Sequence, residues 1–418
     1  MSENNETEKE MNILTKAASR LKDTVSAAAL EVKNLFSADF LSGFLISSFK
    51  EAVSQLREIE RITNQIKKAD RSFTKTDLAG FKTKALETAA RYGTSPTDYL
   101  NDILEASRAG YKNADQIAEL STALQIAADI SSEAALNIIT TADSAWSLGG
   151  SVTELTKILN GLLGTAATGA VNMEQLAESF SLASERASGF GVSSDRTAAA
   201  TGTLITAAGM DAEEAADALA SIISVINGSY QNCLSTGSNT ADSFAAACSR
   251  LGVSLSETKN GITSMRDPIQ IVNELADACS RLSSSDPARI SLADAFDTAD
   301  ASGTASATFN ALADNSESYR TMLAGYSDSG ADIISEAEKQ VTSLDGALGR
   351  LSATWTATVE NINDSGAATA FINTANGLLA SINGITKALG PLGTLGLGAG
   401  LASGIMNTGK RRASARIS

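Results

Sequence analysis

The side chains that could carry chemistry in this chain are three thiols and a few paired carboxylates, because it contains no histidine. Without an imidazole, Ser-His-Asp and Cys-His nucleophile systems, His-ligated zinc hydrolysis and imidazole proton shuttles are all closed. Cys233, Cys248 and Cys279 are odd in number and far apart, with no C-x-x-C spacing. They read as buried thiols in a reducing compartment rather than as a disulfide or metal set. Two acids flanking a cleft would suffice for glycoside hydrolysis, and Glu213–Glu214 and Asp294–Asp297 are pairs of that kind. Their places in helical and capping patterns assign them to solvated surface instead. No Walker loop, G-x-G-x-x-G fingerprint or EF-hand loop is present. The residues therefore designate no catalytic, cofactor-binding or metal-binding position, and no enzyme is expected.

The elements that would have to position any site are punctuated five times in the same way. A glycine ends one run and a capping residue opens the next, in AGYKNADQ (109–116), GAVNMEQ (169–175), GFGVSSDR (189–196), AGMDAEE (208–214) and LGVSLSE (251–257). Glycine takes the left-handed conformation that stops a helix, and Asn, Asp or Ser accepts a free N–H of the next one. Asn113–Gln116, Asn172–Gln175, Asp211–Glu214 and Ser254–Glu257 have capping-box spacing. Only four of the 418 residues are Pro and 5% are aromatic, and no stretch alternates clearly enough to read as a strand. The expected fold is all-α, an array of short helices and helical hairpins. The net charge of −15 argues against specific nucleic-acid binding, which needs clustered Lys and Arg.

Three regions follow. In 1–74, which opens on a polar, acidic stretch unlike a secretory signal, Leu14, Ala18, Leu21, Val25, Ala28, Val32 and Leu35 step by four and three. This seam suits a coiled coil or an amphipathic helix and implies homo-oligomerisation. The segment 35–49 is densely apolar, and Phe49, Val53, Leu56, Ile59, Ile62 and Ile66 form a second stripe. Region 75–362 carries three helices in 75–130, one opened at Ser95-Pro96. Others lie near 133–148, 152–163, 173–188, 194–207, 211–226, 240–250, 268–283 and 331–362, with flexible joints at 227–239 and 301–303. Region 363–418 is Gly-rich. It is uncharged from Ala388 to Gly409 and is followed by Lys410, Arg411, Arg412 and Arg416. Gly396, Gly400 and Gly404 share one helix face, the spacing of paired membrane helices, and the basic cluster suits an anionic membrane face.

The segment 91–131, RYGTSPTDYLNDILEASRAGYKNADQIAELSTALQIAADIS, resembles the core of tape measure proteins of tailed bacteriophages, the TP901-like group. Stretches 173–219, 251–262, 267–279, 288–296 and 343–362 follow in that family's order, so the resemblance covers about residues 50–362. It implies a virion component of the phage tail, assembled in a bacterial cytoplasm, with tail-tube, tail-tip and assembly-chaperone proteins as partners. The expected role is tail length determination, tail assembly and genome ejection. A membrane-inserting ejection protein acting through 388–412 is the alternative; a cell-wall-cleaving enzyme is disfavoured by the missing histidine. Phe296 is followed by Asp297 where the family usually has glycine. A wholly helical chain of this length reaches about 630 Å at ~1.5 Å per residue, and hairpins reach a fraction of that.

Overall fold

The structure, a computed structural model, describes residues 38–340 except 239–241, 284, 329 and 331, with side chains from residue 54 onward. Fifteen helices and one two-stranded hairpin make up the described residues, which establishes the all-α class. The chain divides into two compact units, Leu120–Ala337 and the remainder.

In the first unit, α1 (Ala38–Ala69), α2 (Lys75–Tyr92) and α3 (Pro96–Arg108) pack together. Of the stripe expected on α1, Ile59, Ile62 and Ile66 are buried and Leu56 is half-buried, while the side chains of Phe49 and Val53 lie outside the described residues. Thr74 and Asp77 form a complete capping box at the start of α2, and Gly93 ends it with φ 73°. Pro96 then opens α3 behind the Ser95 cap. Helix α4 (Ala114–Ala128) is tied to this unit at its start. There Tyr99 Oη donates to the Asp115 carbonyl at 3.1 Å and Lys84 pairs with the Asp115 carboxylate. Hydrogen bonds from Ser72, reinforced by Lys112, hold Asp70 well below the usual carboxylate range.

The second unit contains α5 (Ser132–Trp146), α6 (Val152–Gly169), α7 (Met173–Gly189), α8 (Ser194–Thr206), α9 (Ala212–Thr236) and α10 (Ser243–Arg250). After the hairpin come α11 (Pro268–Ser280), α12 (Pro287–Ala299), α13 (Thr304–Asp314), α14 (Ser316–Ser327) and α15 (Ile333–Gln340). The short turns fold each helix back on its neighbours, so α5 packs on α7, α7 on α8 and α9, and α9 on α13. Trp146 stacks on Phe180 across the α5–α7 contact, with centroids 5.5 Å apart. Phe244, Phe296 and Phe309 form a continuous ring cluster joining α10, α12 and α13.

Several local expectations are corrected. Ser254–Glu257 does not open a helix: β1 (Ser256–Lys259) pairs antiparallel with β2 (Ile262–Met265) around Asn260-Gly261. Both turn residues have positive φ, 54° and 77°, the geometry an Asn-Gly hairpin turn requires. The joint expected at 227–239 is largely helix, since α9 runs through Gly228 to Thr236 and stops at Gly237, φ 65°. The helices α12, α13 and α14 were not anticipated.

The joint expected at 301–303 is instead a tied turn. The Asp300 carboxylate accepts from the Ser302 and Ala305 amides at 3.0 and 2.8 Å and from the Ser302 and Ser221 hydroxyls at 2.6 and 3.1 Å. These bonds, Ser302 foremost, lower its pKa from 3.8 to about 2. A depressed carboxylate stabilises the fold above its unfolded pKa and loses that contribution as pH falls through the folded one. The Asp300 contribution is therefore complete above about pH 4 and disappears towards pH 2. In Asp300→Asn, the part of the acid-unfolding curve between those values should flatten; an unchanged curve would show that the turn does not depend on the carboxylate.

Candidate functional site

The carboxylates weighed for catalysis are occupied otherwise. Glu214 donates its amide to Asp211 Oδ1 at 2.8 Å and accepts the Asp211 amide at 3.2 Å, closing a capping box on α9. Glu213, Asp294 and Asp297 are exposed. Cys248 and Cys279 are buried and Cys233 is half-buried, all three free. Burial pushes the Cys248 thiol up to about 12 and also raises the other two, so none is poised as a thiolate. Among the described residues no group of three His, Cys, Asp or Glu side chains could hold a metal ion. The seam at Leu14, Ala18, Leu21, Val25, Ala28, Val32 and Leu35 lies outside the described residues. So do Gly396, Gly400 and Gly404, and residues 341–362 of the helix expected at 331–362.

What the fold does build is a groove lined by small residues. Helix α14 packs chiefly against α6 and α8. A Cβ on Gly161 would overlap the Tyr326 ring, one on Gly169 or Gly202 would overlap Met322, and one on Gly325 would overlap Thr168. The glycines are there for close helix approach. This explains a correction to the 169–175 punctuation: Ala170, not Gly169, adopts the left-handed conformation, φ 51°. Gly169 is held at its position by Met322 packing and the next residue takes the strained φ.

Polar groups fix α14 in the groove. Tyr326 Oη and Ser194 Oγ are 2.9 Å apart, and burial raises the Tyr326 pKa well above its ordinary value. Nearby, Arg196 on α8 donates to Asp267 at 2.7 Å, while Asp267 accepts the amides of Ile269 and Gln270 at 2.8 and 3.2 Å to cap α11. The start of α15 is tied to α6 by the Ile333 amide, which donates to Asn160 Oδ1 at 2.9 Å. Sequence reasoning missed this groove. Its signal was isolated glycines inside helical runs, which mark close packing as often as they mark ends.

A second feature is a cavity of about 460 Å³ between the end of α9, the start of α10 and the hairpin, lined by Tyr230, Cys233, Leu234, Val253, Leu255 and Thr263 among others. None of its lining residues is charged. Leu234 and Ile262 stand exposed in the same elements, at 54% and 72%.

Among the described residues the arrangement offers closely packed helices and one cavity with an uncharged lining. No curated protein and no solved structure matches this chain. A family model described as phage-related minor tail protein matches residues 82–297, from within α2 to within α12. That stretch is more than half of the 418 residues, and the chain belongs to the phage-related minor tail protein family.

Proposed function

We propose that this minor tail protein acts as a tape measure, governing tail length and taking part in tail assembly and genome ejection. The observation that carries the reading is the family match at 82–297 together with the ordered tape-measure-like stretches that extend past it to residue 362. Its partners are then the tail tube, the tail tip and the tail-assembly chaperones, and its place is the virion tail. The described helices act in this as folded modules. The longest, α1, has 32 residues and spans about 48 Å at 1.5 Å per residue, and the turns reverse the chain. Peptide mass spectrometry of purified virions, with immunogold labelling, tests the placement. The protein should be found along the tail; its absence from mature and assembling particles would overturn the reading.

A second reading is favoured by the uncharged run 388–409 and its basic flank, Lys410, Arg411, Arg412 and Arg416. We propose that this segment contacts the host membrane during ejection. Among the described residues no helix is long and apolar enough to cross a membrane. The test is binding of the full chain to anionic liposomes at high salt. Loss on deleting 388–418 supports the segment, and binding that survives the deletion contradicts it.

A further inference from the structure

Asparagine is a chemically labile residue, most of all before glycine, whose backbone nitrogen no side chain shields from the asparagine Cγ. The chain holds five such dipeptides: Asn160-Gly161, Asn227-Gly228, Asn260-Gly261, Asn376-Gly377 and Asn383-Gly384. The first three lie among the described residues. Two requirements decide which of them reacts. The glycine N–H must be open to water so that base can remove its proton, and the backbone must swing until the nitrogen faces Cγ.

The two helical pairs meet neither. Gly161 is buried inside α6 and Gly228 lies inside α9, where each amide donates along the helical ladder. The Asn160 side chain is engaged as well, its Oδ1 accepting the Ile333 amide at 2.9 Å. Swinging either backbone breaks a helix with a buried face, anchored by Leu159 and Leu162 in α6 and by Ile226 and Tyr230 in α9. Asn260-Gly261 meets both. Thr258 to Ser264 are exposed without interruption. Among the described residues the Gly261 amide donates to no group, and the Asn260 side chain bonds to none. The turn closes two strands of four residues each. A two-stranded hairpin is marginally stable by itself, so its exposed end opens at small cost.

We infer that Asn260 is a site of spontaneous covalent modification, at which the hairpin turn becomes acidic and, in part of the product, β-linked. Base takes the Gly261 amide proton, the nitrogen attacks Asn260 Cγ, and the Cγ–Nδ2 bond breaks as ammonia leaves with a proton. Water then opens the five-membered imide. Cleavage between the nitrogen and Cγ gives aspartate; cleavage between the nitrogen and the main-chain carbonyl carbon gives isoaspartate. One water is consumed, one ammonia is released and no oxidant is needed. The products differ in consequence. Asp-Gly suits the same turn as Asn-Gly, so the aspartate form keeps the hairpin. The isoaspartyl link adds a methylene to the main chain, and the pairing of Lys259 with Ile262 across two residues is lost. Thr263, next in the ladder, lines the cavity, so that product also loosens one of the cavity walls. The inference rests on the chemistry of the turn and not on the tape measure reading.

Incubation of the full chain in warm, mildly alkaline buffer, followed by digestion and mass spectrometry, tests it. Asn260 should convert at least ten-fold faster than Asn160 and Asn227. In concentrated urea the three rates should converge, because the dipeptides are the same. Asn376 and Asn383 fall on a different peptide and do not enter the comparison. Asn260→Gly removes the amide and leaves Gly-Gly, which suits the same turn. Amide hydrogen exchange over 256–265 should quicken as the parent chain ages and stay constant in this variant. The inference is overturned by conversion at Asn260 no faster than at the helical pairs, by a ranking that persists in urea, or by exchange that quickens equally in both chains.

Discussion

Gly325→Ala is expected to destabilise the Leu120–Ala337 unit by about 1–2 kcal/mol, against the usual sign of the substitution. Inside an exposed helix, replacing Gly by Ala stabilises by about 1 kcal/mol, because Gly loses more backbone entropy on ordering. At Gly325 the added Cβ would overlap Thr168 and lie 2.9 Å from the Gly164 carbonyl oxygen. That oxygen is backbone of α6 and cannot rotate away, so the two helices must separate. Overpacking of this kind costs about 1–3 kcal/mol and outweighs the entropy gain. Gly228, inside α9, has nothing within 4 Å of its would-be Cβ. Gly228→Ala should therefore stabilise, by up to about 1 kcal/mol. Urea unfolding of the two variants decides the matter: opposite signs support the close-packed groove, and two stabilising changes would refute it.

The second large effect is expected at Asp267, whose side chain is only 9% exposed. Asp267→Ala removes the cap of α11, worth about 1 kcal/mol. It also leaves the Arg196 guanidinium without its carboxylate. Breaking a fully buried pair costs about 3–5 kcal/mol, but Arg196 is 31% exposed and water recovers part of the loss. The sum is a destabilisation of about 2–3 kcal/mol. The Arg196→Met/Asp267→Ala double variant should recover about 1 kcal/mol relative to additivity, because no unpaired charge remains. Additive losses would mean that Asp267 acts as a cap alone.

What the sequence disclosed was local, and what it withheld was mostly non-local. The Ser95, Asn172 and Asp211 caps depend on a few neighbouring residues, and caps form at all three. Ser254–Glu257 has the same spacing, yet Asn260-Gly261, starting three residues after Glu257, imposes a hairpin. That turn was legible in the sequence and was outweighed by the capping pattern. Gly228 looked like an interruption, but Ile222, Ile223, Ile226 and Tyr230 are buried on both sides of it and packing carries α9 through. Helices α12 to α14 have short, Ala- and Ser-rich runs with weak periodicity, and the Phe244–Phe296–Phe309 cluster joins α12 and α13 to α10. The groove around α14 was the least legible feature. Gly161, Gly169 and Gly202 acquire meaning only when Met322 and Tyr326, more than a hundred residues later, lie against them.

Tail length in phage carrying altered copies of this chain tests the tape measure role most directly. In-frame deletions and duplications between residues 1 and 37, and between 341 and 418, leave the described helices intact. If the chain measures the tail, electron micrographs should show lengths that fall with deletion and rise with duplication, at a slope up to about 1.5 Å per residue, the rise of an α-helix. Tails of unchanged length across the whole series, with the altered chains incorporated, would contradict the account.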